Sequence, residues 1–433
     1  MPALSPPAAA TSALQHFTLD NGLTVYLRED HRAPLACAQL WYHVGASHEP
    51  NGQSGLSHLL EHMMFEGSSK LAPGQYSRLI SRLGGTSGAY TSHDATYFPA
   101  TLPASRLEVA LEAMADAMAS ATLGEEPFTR ELAVVMAERR SQVDNSPLGL
   151  AYERHLTLAH GTSPYATPVI GHREDLAQMT THAIRAWHRQ WYRPNNATLV
   201  VVGDTTLARL KSMVLRHFNA IPAQPMPPVV RPGTPAVLSP REQTLTQPGL
   251  RNGLLISFNT ASLTTATVPE QAHALRLICH LLAEGNSSRL IRRLVTEQEQ
   301  LLGVRAQYDH LSRGDGLWTL TAYTSPGTSV HAAGQRVLEQ IALLQESPPT
   351  AQELKRARIR LLAQQAFTGD DIEKQAQVIG EAAASGFDPQ RLGQEKHLVE
   401  HISAEQLQAA AKTWLTPERM TITYLQRKEH AHA

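Results

Sequence analysis

The sequence predicts an α+β protein of two homologous domains, each a mostly antiparallel sheet with helices packed on one face. Three observations carry this. The chain is 433 residues long, too long for one ordinary hydrophobic core. Strand-like and helix-like stretches alternate in blocks in both halves, and a run of prolines at 222, 225, 227, 228, 232, 235, 240 and 248 separates them. Finally, Trp191, Pro194 and Thr198 recur 223 residues later as Trp414, Pro417 and Thr421. Each set lies between a helical stretch and an apolar strand, which points to an internal duplication. The expected domains are 14–221 and 250–427, joined by a semi-rigid Pro-rich linker at 222–249.

The elements follow in order. Residues 1–13 are rich in Ala, Pro and Ser and read as an extended or disordered arm. Residues 17–27 alternate around Asn21-Gly22, a hairpin signal, and 36–44 alternate again as a strand. A loop with Pro50, Asn51 and Gly52 leads into a helix at 56–66. A short helix at 75–83 stops at Gly84-Gly85, and 86–100 reads as two strands. Helices follow at 104–121, 127–145 and 152–160. After a loop at 163–171 come a helix at 181–192, a buried strand at 196–203 and a helix at 205–218. The second half starts over with a strand at 251–260, one long helix at 269–298 and strands within 302–324. Helices at 328–346, 350–366, 370–385 and 403–414 and a strand at 419–425 complete it.

Composition narrows the function. Hydrophobic content of 42% and charged content of 18% are those of a globular protein. The net charge of −1 gives no electrostatic basis for binding nucleic acid or an anionic membrane. No apolar run reaches the length of a membrane span. The first residues show neither a basic stretch nor an apolar core of a signal peptide, so the cytoplasm is the expected compartment, with the periplasm as the alternative. Cys37 and Cys279 stand in apolar contexts without metal-type spacing. They read as core residues, and a disulfide framework is excluded.

The chemistry concentrates in His58-Leu59-Leu60-Glu61-His62, an H-x-x-E-H pattern. On a helix His58 and His62 are one turn apart and Glu61 lies three residues from His58, so all three project from roughly one face. Leu56, Leu59, Leu60, Met63 and Met64 cover the remaining circumference, which makes the helix a buried one. Buried imidazoles need partners. Two readings fit the stripe by itself: three polar residues of an ordinary helix, or a pair of zinc ligands with a free carboxylate beside them. Catalytic zinc usually has a third protein ligand. In the helix at 127–145, Glu131 and Glu138 are seven residues apart and share a face. Either reads as a solvated helix residue, or one as a ligand with the other supporting the site.

These stretches resemble the pitrilysin family, which includes the insulin-degrading enzymes and the mitochondrial processing peptidases. The resemblance runs over about 15–425 and is strongest over 40–204. It implies an inverzincin zinc metallopeptidase, with His58 and His62 as zinc ligands and Glu61 as the general base on water. Glu138, 76 residues after His62, falls at the family's third ligand, and Glu131 at its supporting catalytic carboxylate. Gly84-Gly85-Thr86-Ser87-Gly88-Ala89-Tyr90-Thr91 resembles a segment that pairs with the substrate backbone. It marks Gly88, Ala89, Tyr90 and Thr91 as substrate-binding, although Gly88 replaces the usual Asn. Ser163-Pro164-Tyr165 resembles the family's H-P-Y loop, and 192–204 resembles the end of its first domain. Complete enzymes of the family also carry an Arg and a Tyr in a C-terminal domain. Here Val295 stands at the Arg position and Tyr308 comes too late to supply the Tyr. The resemblance therefore implies the zinc-bearing subunit of a peptidase whose homologous partner, itself without the metal motif, supplies Arg and Tyr. A homodimer is the other arrangement, and a non-catalytic core subunit of a larger complex is the alternative function.

Overall fold

The computed structural model describes residues 12–228, 231–235 and 238–428. Most of the Ala/Pro-rich arm, residues 1–11, lies outside these, as do 229, 230, 236 and 237 of the expected linker.

Two sheets organise the described residues. The first holds β1 (Gln15–Thr18), β2 (Thr24–Glu29), β3 (Leu35–Tyr42), β4 (Thr86–Ser87), β5 (Tyr90–Thr91), β6 (Thr96–Pro103) and β7 (Ala197–Gly203). Its order is β1-β2-β7-β3-β6-β4, with β5 also paired to β6. The second holds β8 (Arg241–Gln247), β9 (Gly253–Thr260), β10 (Leu301–Tyr308), β11 (Gly316–Thr324) and β12 (Met420–Arg427). Read as β8-β12-β9-β11-β10, it matches β2-β7-β3-β6-β4 strand for strand. Each sheet has one parallel pair, β2 with β7 and β8 with β12, among antiparallel neighbours. The recurring residues fall at matching places: Trp191 and Trp414 end helices, Pro194 and Pro417 open short 3-10 turns, and Thr198 and Thr421 lie buried in β7 and β12.

The first half adds helices α1 (Leu56–Met63), α2 (Gln75–Arg82), α3 (Leu107–Ser120), α4 (Glu125–Arg139), α5 (Pro147–His160), α6 (Arg173–Ala177), α7 (Thr181–Trp191) and α8 (Leu207–Phe218). The second adds α9 (Pro269–Ala283), α10 (Val330–Glu346), α11 (Ala351–Thr368), α12 (Ile372–Ser385), α13 (Glu395–His401) and α14 (Ala404–Trp414). Each half packs helices of its own on one face of its sheet, forming the two main cores. The opposite face is covered by a helix from the other half. Ala376 and Ile379 of α12 pack on Cys37, Trp41, Val200 and Val202 of the first sheet. Ala151 of α5 packs on Leu255 and Leu425 of the second. The approach of α12 requires Gly380: a Cβ there would lie 2.1 Å from the Trp41 ring. Full burial of a side chain the size of Ile379 contributes about 1.5–3 kcal/mol, so this exchange holds the halves together by apolar area.

Several expectations need correction. Residues 241–247, placed in the linker, form strand β8, which pairs with β12 at the edge of the second sheet. Its sequence Arg-Glu-Gln-Thr-Leu-Thr-Gln is polar and lacks the apolar alternation that marks a half-buried strand. The single helix expected at 269–298 stops at Ala283. Gly285, with φ of +73°, breaks it, and the chain resumes as a π-helical turn at Ile291–Glu297. Thr18 pairs with Thr24, so the first hairpin closes over five residues rather than a two-residue turn. The buried Asn21 amide donates to Phe218 O and Ile221 O at 2.8 and 2.9 Å, which fastens the hairpin to the end of α8. Cys37 and Cys279 are both free and buried.

Candidate metal centre

Helix α1 is held at its start. The Glu49 carboxylate accepts from Gly55 N and Ser57 N, both at 2.7 Å, and so caps the helix start from outside. Burial pushes the Glu49 carboxyl up to about 7, against these hydrogen bonds. Leu56, Leu59, Leu60 and Met63 are buried in the first core, and Trp187 Nε1 donates to Ser57 Oγ at 3.2 Å from α7. With the apolar faces committed to the core, His58, Glu61 and His62 face the remaining side, where a cleft of about 730 Å³ opens.

The two imidazoles meet edge to face, with ring centres 4.9 Å apart. Glu138 reaches them from the last turn of α4. Its Oε2 lies 3.8 Å from His58 Nε2 and 3.7 Å from His62 Nε2. These separations are too long for hydrogen bonds. They suit two nitrogens and an oxygen around a cation, since zinc bonds to such atoms are about 2.0–2.2 Å long. One donor atom from each residue lies within 4.8 Å of the others, and this is the one such three-residue group among the described residues. Burial and then the neighbouring His62 push the His58 imidazole down to about 4, which keeps it neutral, as a metal ligand must be. The donor set fits zinc.

The supporting groups are equally ordered. Glu131 Oε2 lies 3.4 Å from His62 Nδ1, and Glu131 is not among the residues that line the cleft. The contact is the kind by which a carboxylate orients a metal-binding histidine. Arg130 lies 3.4 Å from Glu131 and also pairs with Glu66. Glu138 Oε1 accepts from Gln142 Nε2 at 2.7 Å, from the π-helical turn Arg140–Asp144 that continues α4. Glu61 lines the cleft, and its Oε2 accepts from Thr91 Oγ1 at 2.6 Å. Burial pushes the Glu61 carboxyl up, with the Thr91 hydrogen bond opposing it.

Ala89, Tyr90 and Thr91 line the cleft, and Gly88 does not: its N–H donates back to Pro99 O at 3.2 Å. β5 pairs only with β6 among the described strands, so its other edge is open. Sequence reasoning missed three contributors: Gln142, the external cap Glu49, and the hydroxyl of Thr91 as the partner of Glu61. Glu and Gln at such separations carry no local signal. Val295, at the position of the expected Arg, lies partly buried against the second core, and Tyr308 spends its hydroxyl on Ala261 O at 2.5 Å.

This two-sheet architecture with its H-x-x-E-H helix is a zinc-protease-like fold. The sequence matches the profile described as Insulinase (Peptidase family M16) over residues 24–171 and the Peptidase M16 inactive domain profile over 178–361. The chain belongs to this family. Zinc protease PqqE of Helicobacter pylori is 28% identical over 371 residues, covering 84% of this chain and 81% of that protein. The crystal structure of a protease from Helicobacter pylori superposes with a TM-score of 0.89 at 25% identity, over 96% of this chain and all of the other. The periplasmic protease PqqL of Escherichia coli shares the fold with a TM-score of 0.79 at 18% identity, and this chain matches 47% of its length.

Proposed function

We propose that this chain is a zinc-dependent endopeptidase that hydrolyses peptides bound in extended form and works with a homologous partner subunit. The observation that carries the reading is the convergence of His58, His62 and Glu138 on one point beside Glu61, at the wall of an open cleft. When bound, zinc supplies Lewis acidity, which lowers the pKa of a water and polarises a carbonyl. His58, His62 and Glu138 would hold it. Glu131 fixes the ring of His62, and Gln142 holds the second oxygen of Glu138.

Glu61 acts as the general base. Burial raises its proton affinity toward the working range of a group that accepts a proton from water and returns it to the leaving amine. Thr91 holds its Oε2 and keeps the carboxylate aimed at the cleft. The same threonine belongs to β5, so the strand that would pair with the peptide backbone also positions the base. Val295 and Tyr308 offer neither a guanidinium nor a phenol to this cleft, which supports a partner that brings them.

The test is zinc content and peptide cleavage of the purified chain, with and without whatever homologous subunit copurifies from the source. Equimolar zinc and chelator-sensitive cleavage, strongest in the pair, are expected. A chain without zinc whose pair cleaves no peptide would overturn the reading and leave the core-subunit alternative.

A further inference from the structure

We propose that Arg313, on the loop joining β10 and β11 in the second domain, is a positioning residue for the hydrolytic site in the first. The proposal rests on the endopeptidase reading above. Arg313 is buried, and its side chain reaches across to two segments of the first domain, Ser47-His48 and Asp94. Its Nη2 donates to Ser47 Oγ at 2.9 Å and lies 3.2 Å from Asp94 Oδ1, and its Nη1 meets His48 Nε2. Its backbone N–H donates to Asp94 Oδ2 at 2.9 Å. The next residue, Gly314, donates its N–H to Tyr165 Oη at 2.9 Å, and that hydroxyl donates to Asp94 Oδ2 at 2.6 Å.

Each segment leads directly to the site. Ser47 and His48 precede Glu49, whose carboxylate caps α1. Asp94 follows Thr91, which holds Glu61, by three residues. Tyr165 lines the cleft, as do His93 and Thr167, which bond to each other at 3.0 Å. The Arg313 guanidinium therefore ties the segment of the helix cap to that of the base-holding strand, and the Gly314 N–H with Asp94 extends the tie to Tyr165 on the cleft wall. A buried, multiply bonded Arg–carboxylate pair of this kind fixes geometry as well as adding energy.

The loop that carries Arg313 is itself braced. Thr264 Oγ1 donates to Ser312 O and Arg313 O at 2.9 and 2.8 Å. Asp315 accepts from Thr234 N at 3.0 Å and donates its own N–H to Pro232 O at 2.9 Å. A Cβ at Gly314 would lie 2.0 Å from Pro232 O. Cohesion of the two domains does not depend on this contact, because α12 and α5 already bury apolar surface on the opposite sheets. What Arg313 adds is the placement of loops beside Glu61.

The experiment compares Arg313→Ala, Arg313→Lys and Tyr165→Phe in the complete peptidase, with its copurifying subunit present. Zinc content, kcat, KM and amide exchange are measured. Arg313→Ala should keep equimolar zinc, lower kcat at least about tenfold with a smaller change in KM, and speed exchange at 91–96 and 163–168 but not in β12 or α9. Arg313→Lys should recover only part, since an ammonium cannot span the same partners. Tyr165→Phe removes one hydroxyl and leaves the ring, so it tests the same network if the arginine variants fail to fold, and it should move kcat and exchange in the same direction. A kcat within about twofold of the parent in Tyr165→Phe with unchanged exchange at both loops would overturn the proposal. So would a loss of kcat that merely tracks loss of zinc or faster exchange throughout. If the unmodified peptidase binds no zinc or cleaves nothing, the endopeptidase reading fails, and exchange at the two loops then decides the bracing role of Arg313 by itself.

Discussion

Helices α1 and α9 stand at matching stations. Each follows the central strand of its sheet, β3 or β9, and each is followed by Glu-Gly and a pair of serines, at 66–69 and within 284–288. Counting back from those glutamates, His280 matches His62, Cys279 matches Glu61 and Arg276 matches His58. On α1 the three side chains face a cleft, and the two histidines meet Glu138. On α9 the same positions are closed in. Arg276 pairs with the buried Glu395 at 2.9 Å, Cys279 is buried, and burial followed by Arg276 and Arg360 pushes His280 down to about 4. The helix packed on α1 contributes Glu131 and Glu138, whereas α11, packed on α9, contributes Arg360 to Ser287 Oγ at 2.8 Å. The fold was kept by apolar positions that both copies share. The chemistry was separated by a few polar substitutions that leave those positions alone.

The largest test of this contrast is metal stoichiometry. His58→Ala should abolish zinc binding by the whole chain, because α9 offers no second donor set; a remaining equivalent of zinc, measured on the purified variant, would break the comparison. Next comes the base. Glu61→Gln should keep equimolar zinc while peptide hydrolysis falls at least about 10²-fold, and near-parental turnover would remove Glu61 from its role. In the second half the expected loss is stability instead of activity. Arg276→Ala leaves the buried Glu395 without its cation and should lower the unfolding free energy by about 3–5 kcal/mol with zinc content unchanged, as read by denaturant titration. The smallest effect concerns acid. Hydrogen bonding from Arg289 holds the Glu353 carboxyl down at about 2, below its unfolded value near 4.5. Its contribution is therefore present above about pH 4.5 and lost as pH falls toward 2. Glu353→Gln should flatten that part of the Tm–pH curve, and an unaltered acid limb would show that the pair adds nothing.

Parts of this contrast were legible in the sequence. The helix at 56–63, its H-x-x-E-H face and its apolar back follow from spacing within two turns, where local geometry dictates which side chains share a face. Trp191, Pro194 and Thr198 with their later counterparts marked the duplication for the same reason: each triplet spans one helix end and one strand start. Glu138 drew notice only through its distance from His62 in a resembling family, because nothing in α4 distinguishes a ligand from a solvated glutamate. Strand β8 was hidden by its polar sequence, and Gly88 by a turn that points its N–H back to Pro99.

By itself the sequence determined the two-domain α+β class, the buried helix with its two imidazoles, and the absence of a matching motif in the second half. Those properties rest on short-range periodicity and composition, which act before any long-range contact forms. Tertiary structure alone decided that Glu138 meets both histidines, that Thr91 holds Glu61, that α5 and α12 change sheets, and that Arg313 enters the first domain's loops. Each of these joins residues separated by 30 or more positions. Their proximity depends on how strands pair and helices pack, information that no local window of the chain contains.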